Sequence, residues 1–150
     1  MSKLTDYGTL VLANLPDSEA GLKSAADVAM ASGINLPTVS KLLKSLTKAK
    51  LVVSGRGAQG GYRLARDAAD ISAAEIIDAL EGPVSITECS ATDSHCDLES
   101  VCNVGNAWQR INVAIRRALQ DINLTELQRA RAPVPRFDLA GTPIHVERKE

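Results

Sequence analysis

Three cysteines, Cys89, Cys96 and Cys102, stand at C-x6-C-x5-C spacing in one acidic stretch of the chain. Thiolates are ligands for metals and clusters, and three of them leave at least one position of a four-ligand site to another donor. His95 and Glu99 lie in the same stretch and offer such donors. Zinc on a Cys₃His set is one outcome, but there is no C-x2-C knuckle, and gaps of six and five residues suit a larger centre. Reduced free thiols are the plain alternative, whereas Asp, Ser and Thr neighbours make a poor setting for buried cysteine packing. Thiol catalysis finds little support. No Cys-x-x-Cys is present, and neither His95 nor His145 has a Cys/His catalytic context, so no enzyme and no small-molecule substrate are expected.

A second set of residues suits nucleic acid. Lys41, Lys44 and Lys48 recur at i, i+3 and i+7, opposite an apolar stripe of Val39, Leu42, Leu43 and Leu46, with Thr38, Ser40 and Ser45 adding short hydroxyls. Lysines for phosphates and small polar groups for base edges are what a helix in a major groove needs. Three lysines alone describe many solvated helix faces; a neighbouring helix, turn and hairpin make the DNA reading specific. Arg56, at the tip of Gly55-Arg56-Gly57-Ala58-Gln59-Gly60, suits a minor groove or a phosphate. That loop also matches G-x-G-x-x-G, but the dinucleotide fingerprint requires a helix next. Gly61-Tyr62-Arg63-Leu64 reads as extended, so that reading is rejected.

The elements that position these residues follow from local pattern. Leu4, Leu10, Val11, Leu12 and Leu15 support a first helix ended by Pro16-Asp17, and Ser24 to Ala29 a second, stopped at Ser32-Gly33. A third opens at Asn35-Leu36-Pro37 and runs to about Ala49, giving a helix-turn-helix. Leu51–Ser54 and Gly61–Leu64 form the two strands of a wing. Ser72 and Glu75 stand at capping-box spacing before Ile76-Ile77, and Gly82-Pro83 releases the chain into the cysteines. From Gly105 to about Ile122, Trp108, Ile111, Ile115, Ala118, Leu119 and Ile122 mark a long amphipathic helix whose stripe needs a partner. Beyond Leu127 the composition turns to Arg, Pro and isolated charges. The fold class expected is mainly α with a small β-hairpin wing: a winged helix-turn-helix plus a long C-terminal helix.

Charge is partitioned along the 150 residues although the net is only −1. Residues 1–66 hold nine Lys/Arg against four Asp/Glu, residues 67–102 nine acids and no base, and residues 103–150 eight bases against five acids. A basic N-terminal module suits phosphate contact. With few aromatics the core must be Leu, Ile, Val and Ala. No run of about 18 apolar residues exists and the first residues lack a signal-peptide pattern, so a cytoplasmic protein with reduced thiols and no membrane partner is expected.

These residues together resemble the IscR/NsrR-type iron–sulfur winged-helix regulators of bacteria. Thr5-Asp6-Tyr7 is similar to the family's opening, Leu36 to Lys44 to its recognition helix, Arg56 to Leu64 to its wing, and Ala79-Leu80-Glu81-Gly82-Pro83 to its lead into the cysteines. Within it the chain looks closest to the branch regulating Suf-type cluster assembly, partly through Gly105-Asn106 and Trp108-Gln109-Arg110. The resemblance implies a homodimer joined through Trp108, Ile111, Ile115 and Leu119, binding double-stranded DNA at an inverted-repeat operator. It also implies an iron–sulfur cluster on Cys89, Cys96 and Cys102, with [2Fe–2S] favoured over [4Fe–4S]. Asp6 matches the position from which some members supply an acidic fourth ligand, beside His95 and Glu99 as alternatives. Two departures stand out. Gly105 occupies the place of a histidine ligand of the cluster-assembly regulator, and Ser40 that of a recognition-helix glutamate. The expected function is a repressor of an iron–sulfur assembly operon; a nitric-oxide or redox sensor, or a cluster-free regulator governed by a protein partner, are the alternatives. The expected division is a winged helix-turn-helix domain over 1–82, a cluster-binding loop over 83–104, a dimerisation helix region over 105–130 and a disordered tail over 131–150.

Overall fold

Local hydrogen-bonding signals set where the helices of this chain begin and end. A computed structural model describes residues 3–17, 21–57, 60–84, 105–129, 136–137 and 143–144. Helix α1 spans Lys3–Ala13. Helix α2, Ala25–Ser32, opens on a Ser24/Asp27 capping box and closes on Gly33 at φ 71°. Helix α3, Leu36–Lys48, takes Asn35 as its N-cap, whose side-chain oxygen accepts from the Thr38 amide at 2.9 Å. Helix α4, Ala73–Glu81, opens on the Ser72/Glu75 capping box.

The exit from α3 joins it directly to the wing. Lys50 adopts φ 61°, the Lys50 amide donates to Thr47 O, and the Leu51 amide donates to Leu46 O at 3.0 Å. This is a Schellman turn with lysine where glycine is usual, sealed by Leu46 and Leu51, both buried. Strand β1, Val52–Gly55, pairs antiparallel with β2, Gly61–Leu64, in the register Val52↔Leu64 to Gly55↔Gly61. The outer edge of β2 is clamped by Lys23, which exchanges both backbone hydrogen bonds with Tyr62 at 3.0 and 2.8 Å. A Cβ on Gly61 would stand 2.6 Å from Lys23 O, and one on Gly60 the same distance from Gly55 O. Bare Gly61 therefore lets β2 lie against the α1–α2 connection, and bare Gly60 lets the wing loop close on itself.

The core is aliphatic throughout. Val11, Leu12, Val28, Val39, Leu43, Leu46, Leu64, Ile71 and Leu124 are fully buried in one cluster, as the scarcity of aromatics foretold. Helix α5, Gly105–Asp121, lies against α4. Arg116 grips Asp78 there with two bonds, Nη1 to Oδ1 at 3.1 Å and Nη2 to Oδ2 at 2.5 Å. At its far end the Ala73 amide donates to Ile122 O and the Leu124 amide to Ile71 O, both at 2.8 Å.

A short helix and a two-stranded ladder depart from the sequence-based expectation. A separate short helix α6, Leu124–Arg129, follows α5 and is capped reciprocally by Asn123 and Glu126. In the stretch expected to be disordered, strands β3, Arg136–Phe137, and β4, Pro143–Ile144, pair antiparallel. The sequence there lacks alternation over any length, so a two-residue ladder leaves no pattern to find.

Candidate nucleic-acid interface and cysteine segment

The reading surface starts from helical periodicity. Val39, Leu42, Leu43 and Leu46 turn one side of α3 into the core, which forces the remaining residues outward. Leu36, Pro37, Ser40, Lys41, Lys44 and Lys48 are exposed, with Thr38 and Ser45 half-buried at the margin. No Asp or Glu occurs anywhere in α3, so its outward side carries no negative charge: it is basic and neutral polar, with Leu36 and Pro37 adding apolar surface in the first turn. Thr47 is half-buried and its hydroxyl is committed to the helix backbone, donating to Leu43 O at 2.7 Å. Thr38, Ser40, Lys41 and Lys44 are thus brought together on one element, as the spacing requires. Arg56 is exposed in the wing loop, beyond the end of β1. Gly57 at φ 105° and the Gly60 amide donating to Gly57 O at 2.9 Å make that loop turn.

Cys89, Cys96 and Cys102, with His95 and Glu99, lie outside the described residues. Asp6 is exposed in the first turn of α1. Among the described residues there is no group of three or more His, Cys, Asp or Glu arranged to hold a metal. The structure does show what stands at the root of the cysteine stretch. Thr5, buried beside Asp6, donates from its hydroxyl to the carboxylate of Glu81, the last residue of α4. Gly8 lies under Leu80, and a Cβ there would come within 2.2 Å of Leu80 Cδ1. Bare Gly8 thus gives the Leu80 side chain room where α1 meets α4. The Thr5–Glu81 contact joins residues 76 apart and left no local signal in the sequence.

On α5 the four apolar residues separate. Ile115 and Leu119 are half-buried, while Trp108 and Ile111 are 37 % and 43 % exposed. Leu4, Tyr7 and Leu10 on α1 are also exposed. Another side of α5 forms a shallow groove lined by Asn106, Gln109, Arg110, Val113, Ala114 and Arg117. Two ion pairs stiffen the frame. The hydrogen bonds and charge of Asp78 hold Arg116 above the usual guanidinium range. Burial raises Glu75, but bonds from Ser72 and Arg66 outweigh it and hold its carboxyl below the ordinary value.

A helix-turn-helix with a clamped hairpin wing and a basic, carboxylate-free reading helix defines a winged-helix DNA-binding protein. The chain belongs to the Rrf2 family, whose model, described as an iron-dependent transcriptional regulator, matches residues 1–130. It is 33 % identical over 132 residues to the protein rrf2 of Nitratidesulfovibrio vulgaris, covering 87 % of each chain. To the HTH-type transcriptional regulator IscR of Vibrio atlanticus it is 33 % identical, over 85 % of this chain and 75 % of that one. Among solved structures, CymR, the global cysteine regulator of B. subtilis, superposes at TM-score 0.64 with 29 % identity, covering 86 % and 95 % of the two chains. An IscR of T. potens superposes at 0.55 with 30 % identity, covering 86 % and 85 %. These relatives are regulators of transcription and not enzymes, and this chain is a transcriptional regulator of the same type. Among the described residues no helix is long and apolar enough to cross a membrane.

Proposed function

We propose that the protein is a homodimeric, DNA-binding repressor of an iron–sulfur cluster assembly operon of the Suf type, working in the cytoplasm, whose promoter binding follows the state of an iron–sulfur cluster. The observation that carries the DNA half is the basic, carboxylate-free side of α3 beside the clamped wing. Thr38 and Ser40 face base edges, Lys41 and Lys44 take phosphates or guanine, and Arg56 enters the adjacent minor groove. Exposed Trp108 and Ile111, with half-buried Ile115 and Leu119 further along the same stripe, support packing of α5 against a second copy. Two-fold symmetry then makes the operator an inverted repeat with half-sites one or two helical turns apart.

The donor set fits a cluster. Cys89, Cys96 and Cys102 supply three thiolates, and the exposed Asp6 carboxylate offers an oxygen donor beside the contact that pins the end of α4. His95 and Glu99 are the alternative fourth ligands, and [2Fe–2S] is favoured over [4Fe–4S]. When bound, the group supplies a ligand sphere that changes with oxidation, nitrosylation or loss. The chain's own residues then relay the change. Residues 82–104 join Glu81, held by Thr5 of α1, to Gly105, where α5 begins. A coupling of about 1–3 kcal/mol between loop and reading helices suffices for such control.

A second reading draws on the CymR likeness. One similar solved structure is an oxidized form of Staphylococcus aureus CymR, at TM-score 0.59 and 28 % identity. On that reading the input is a nitric-oxide or redox signal on the same scaffold, or a protein partner with no cluster. The test is to purify the protein anaerobically and measure iron, acid-labile sulfide and zinc per monomer, with an absorption spectrum. Iron with matching sulfide supports the sensor; zinc without sulfide, or metal-free protein that resists reconstitution, refutes it. Cys102→Ala should then uncouple operator binding from cluster state, and unchanged regulation would favour the partner.

A further inference from the structure

The first turn of α3 differs chemically from the rest of the helix's outward side. Leu36 is 45 % exposed and stands outside the core cluster that takes Val39, Leu42, Leu43 and Leu46. Pro37 beside it is also exposed and has no amide hydrogen to offer. Asn35 turns its side-chain oxygen back onto the Thr38 amide, so that acceptor and that donor satisfy each other. The opening turn therefore exposes an apolar surface, the Leu36 side chain and the Pro37 ring, beside the half-buried Thr38. The exposed polar groups Ser40, Lys41 and Lys44 follow one turn later. In helix-turn-helix proteins it is the N-terminal residues of the second helix that meet base edges.

Resting on the DNA-reading function proposed above, we infer that Leu36 and Pro37 are specificity-determining residues that recognise thymine through its 5-methyl group. Of the groups in the major groove, the thymine methyl is the one that an apolar side chain matches; every other base-edge feature asks for a donor or an acceptor. A carbon surface pressed on an N4 amino group or an O6 carbonyl strips water and returns no bond, so the same turn disfavours G·C pairs. Asp and Glu, which would accept from cytosine N4, do not occur in α3. Preferred half-sites therefore place thymine under the start of α3, and the lysines that follow add charge with less discrimination.

The experiment starts by selecting preferred duplexes from a random-sequence pool with the full-length protein. Each enriched thymine is then replaced by deoxyuridine, which keeps its pairing and its O4 acceptor and loses only the methyl. Loss of one buried methyl should weaken binding about fourfold, and about fifteenfold when both half-sites are changed. Exchanging the T·A pair for C·G should weaken binding further, and 5-methylcytosine at that position should recover part of the loss. Leu36→Ala and Pro37→Ala should each bring the thymine-to-deoxyuridine ratio toward one. A selected duplex indifferent to deoxyuridine overturns the inference and leaves the DNA-binding function standing, as does a ratio unchanged in both variants. Failure to select any sequence overturns the DNA-reading function and the inference with it. The deoxyuridine comparison uses the unaltered protein, so it decides even if a variant misfolds.

Discussion

Replacing Lys41, Lys44 and Lys48 together by alanine should strongly flatten the salt dependence of DNA binding. All three are exposed on α3 and span seven residues, about 10 Å of helix axis, comparable to a major groove about 12 Å wide. If each meets one phosphate, a dimer makes six such contacts. Each phosphate neutralised contributes about 0.9 to the slope of log affinity against log salt, so the slope should fall by about 5. Between about 50 and 200 mM salt the unaltered protein should then lose about a thousandfold more affinity than the variant. Fluorescence anisotropy with a selected duplex at four or five salt concentrations measures this directly. Stability should move by less than about 0.5 kcal/mol, because none of the three side chains is buried, so weak binding cannot be blamed on unfolding. An unchanged slope, with the variant folded, would refute the docking of α3 along its lysine side.

Lys50→Gly should stabilise the protein by about 0.5–1 kcal/mol, since φ 61° strains any residue with a Cβ. That corresponds to a rise of about 2–3 °C in Tm, read by thermal unfolding. Gly61→Ala should do the reverse and cost about 1–3 kcal/mol, because its Cβ meets Lys23 O at 2.6 Å and the clamp on β2 must open; a Tm unchanged by the substitution would contradict the close approach. Acid should weaken the fold partly through Glu75. Its carboxyl is held below the ordinary 4.5 in the folded state, so its contribution is present above that value and lost as pH falls through the folded one. With the Arg66–Glu75 pair 35 % and 44 % exposed, the loss should stay under about 1 kcal/mol. Urea unfolding at successively lower pH should show it, and Glu75→Gln should remove it.

Most of the frame was legible because it is written in local chemistry. Ser24 with Asp27, Ser72 with Glu75, and Asn35 before Pro37 each announce a helix start through bonds made within four residues. The lysine side of α3 follows from the 3.6-residue period once its opposite stripe is buried. What stayed hidden depends on distant or non-standard partners. Lys50 in a left-handed conformation breaks the rule that expects glycine or asparagine there. The Lys23–Tyr62 clamp is a single bridge with no strand on one side to alternate. Thr5 and Glu81 meet through the packing of α1 on α4, 76 residues apart in sequence. Helix α6 had a readable cap in Asn123-Leu124-Thr125-Glu126, but six residues carry too little periodicity to separate it from α5.

The turn at Lys50 has one more consequence. Because Leu51 hydrogen-bonds to Leu46 and leads straight into β1, and because Lys23 fastens the opposite edge of the hairpin, α3 and the wing form a caliper of fixed gauge. In the docking proposed above, one jaw sits in a major groove and the other, carrying Arg56, in the minor groove beside it. A gauge held by these backbone bonds resists adapting to the duplex, so much of the fitting falls to the duplex. Sequences whose groove spacing already suits the gauge bind at little deformation energy, whereas stiff or mis-spaced ones are penalised at positions that no side chain touches. On that docking, part of the operator's identity would be set by the backbone of residues 46–57 and 60–64, as a length and not as a set of contacts.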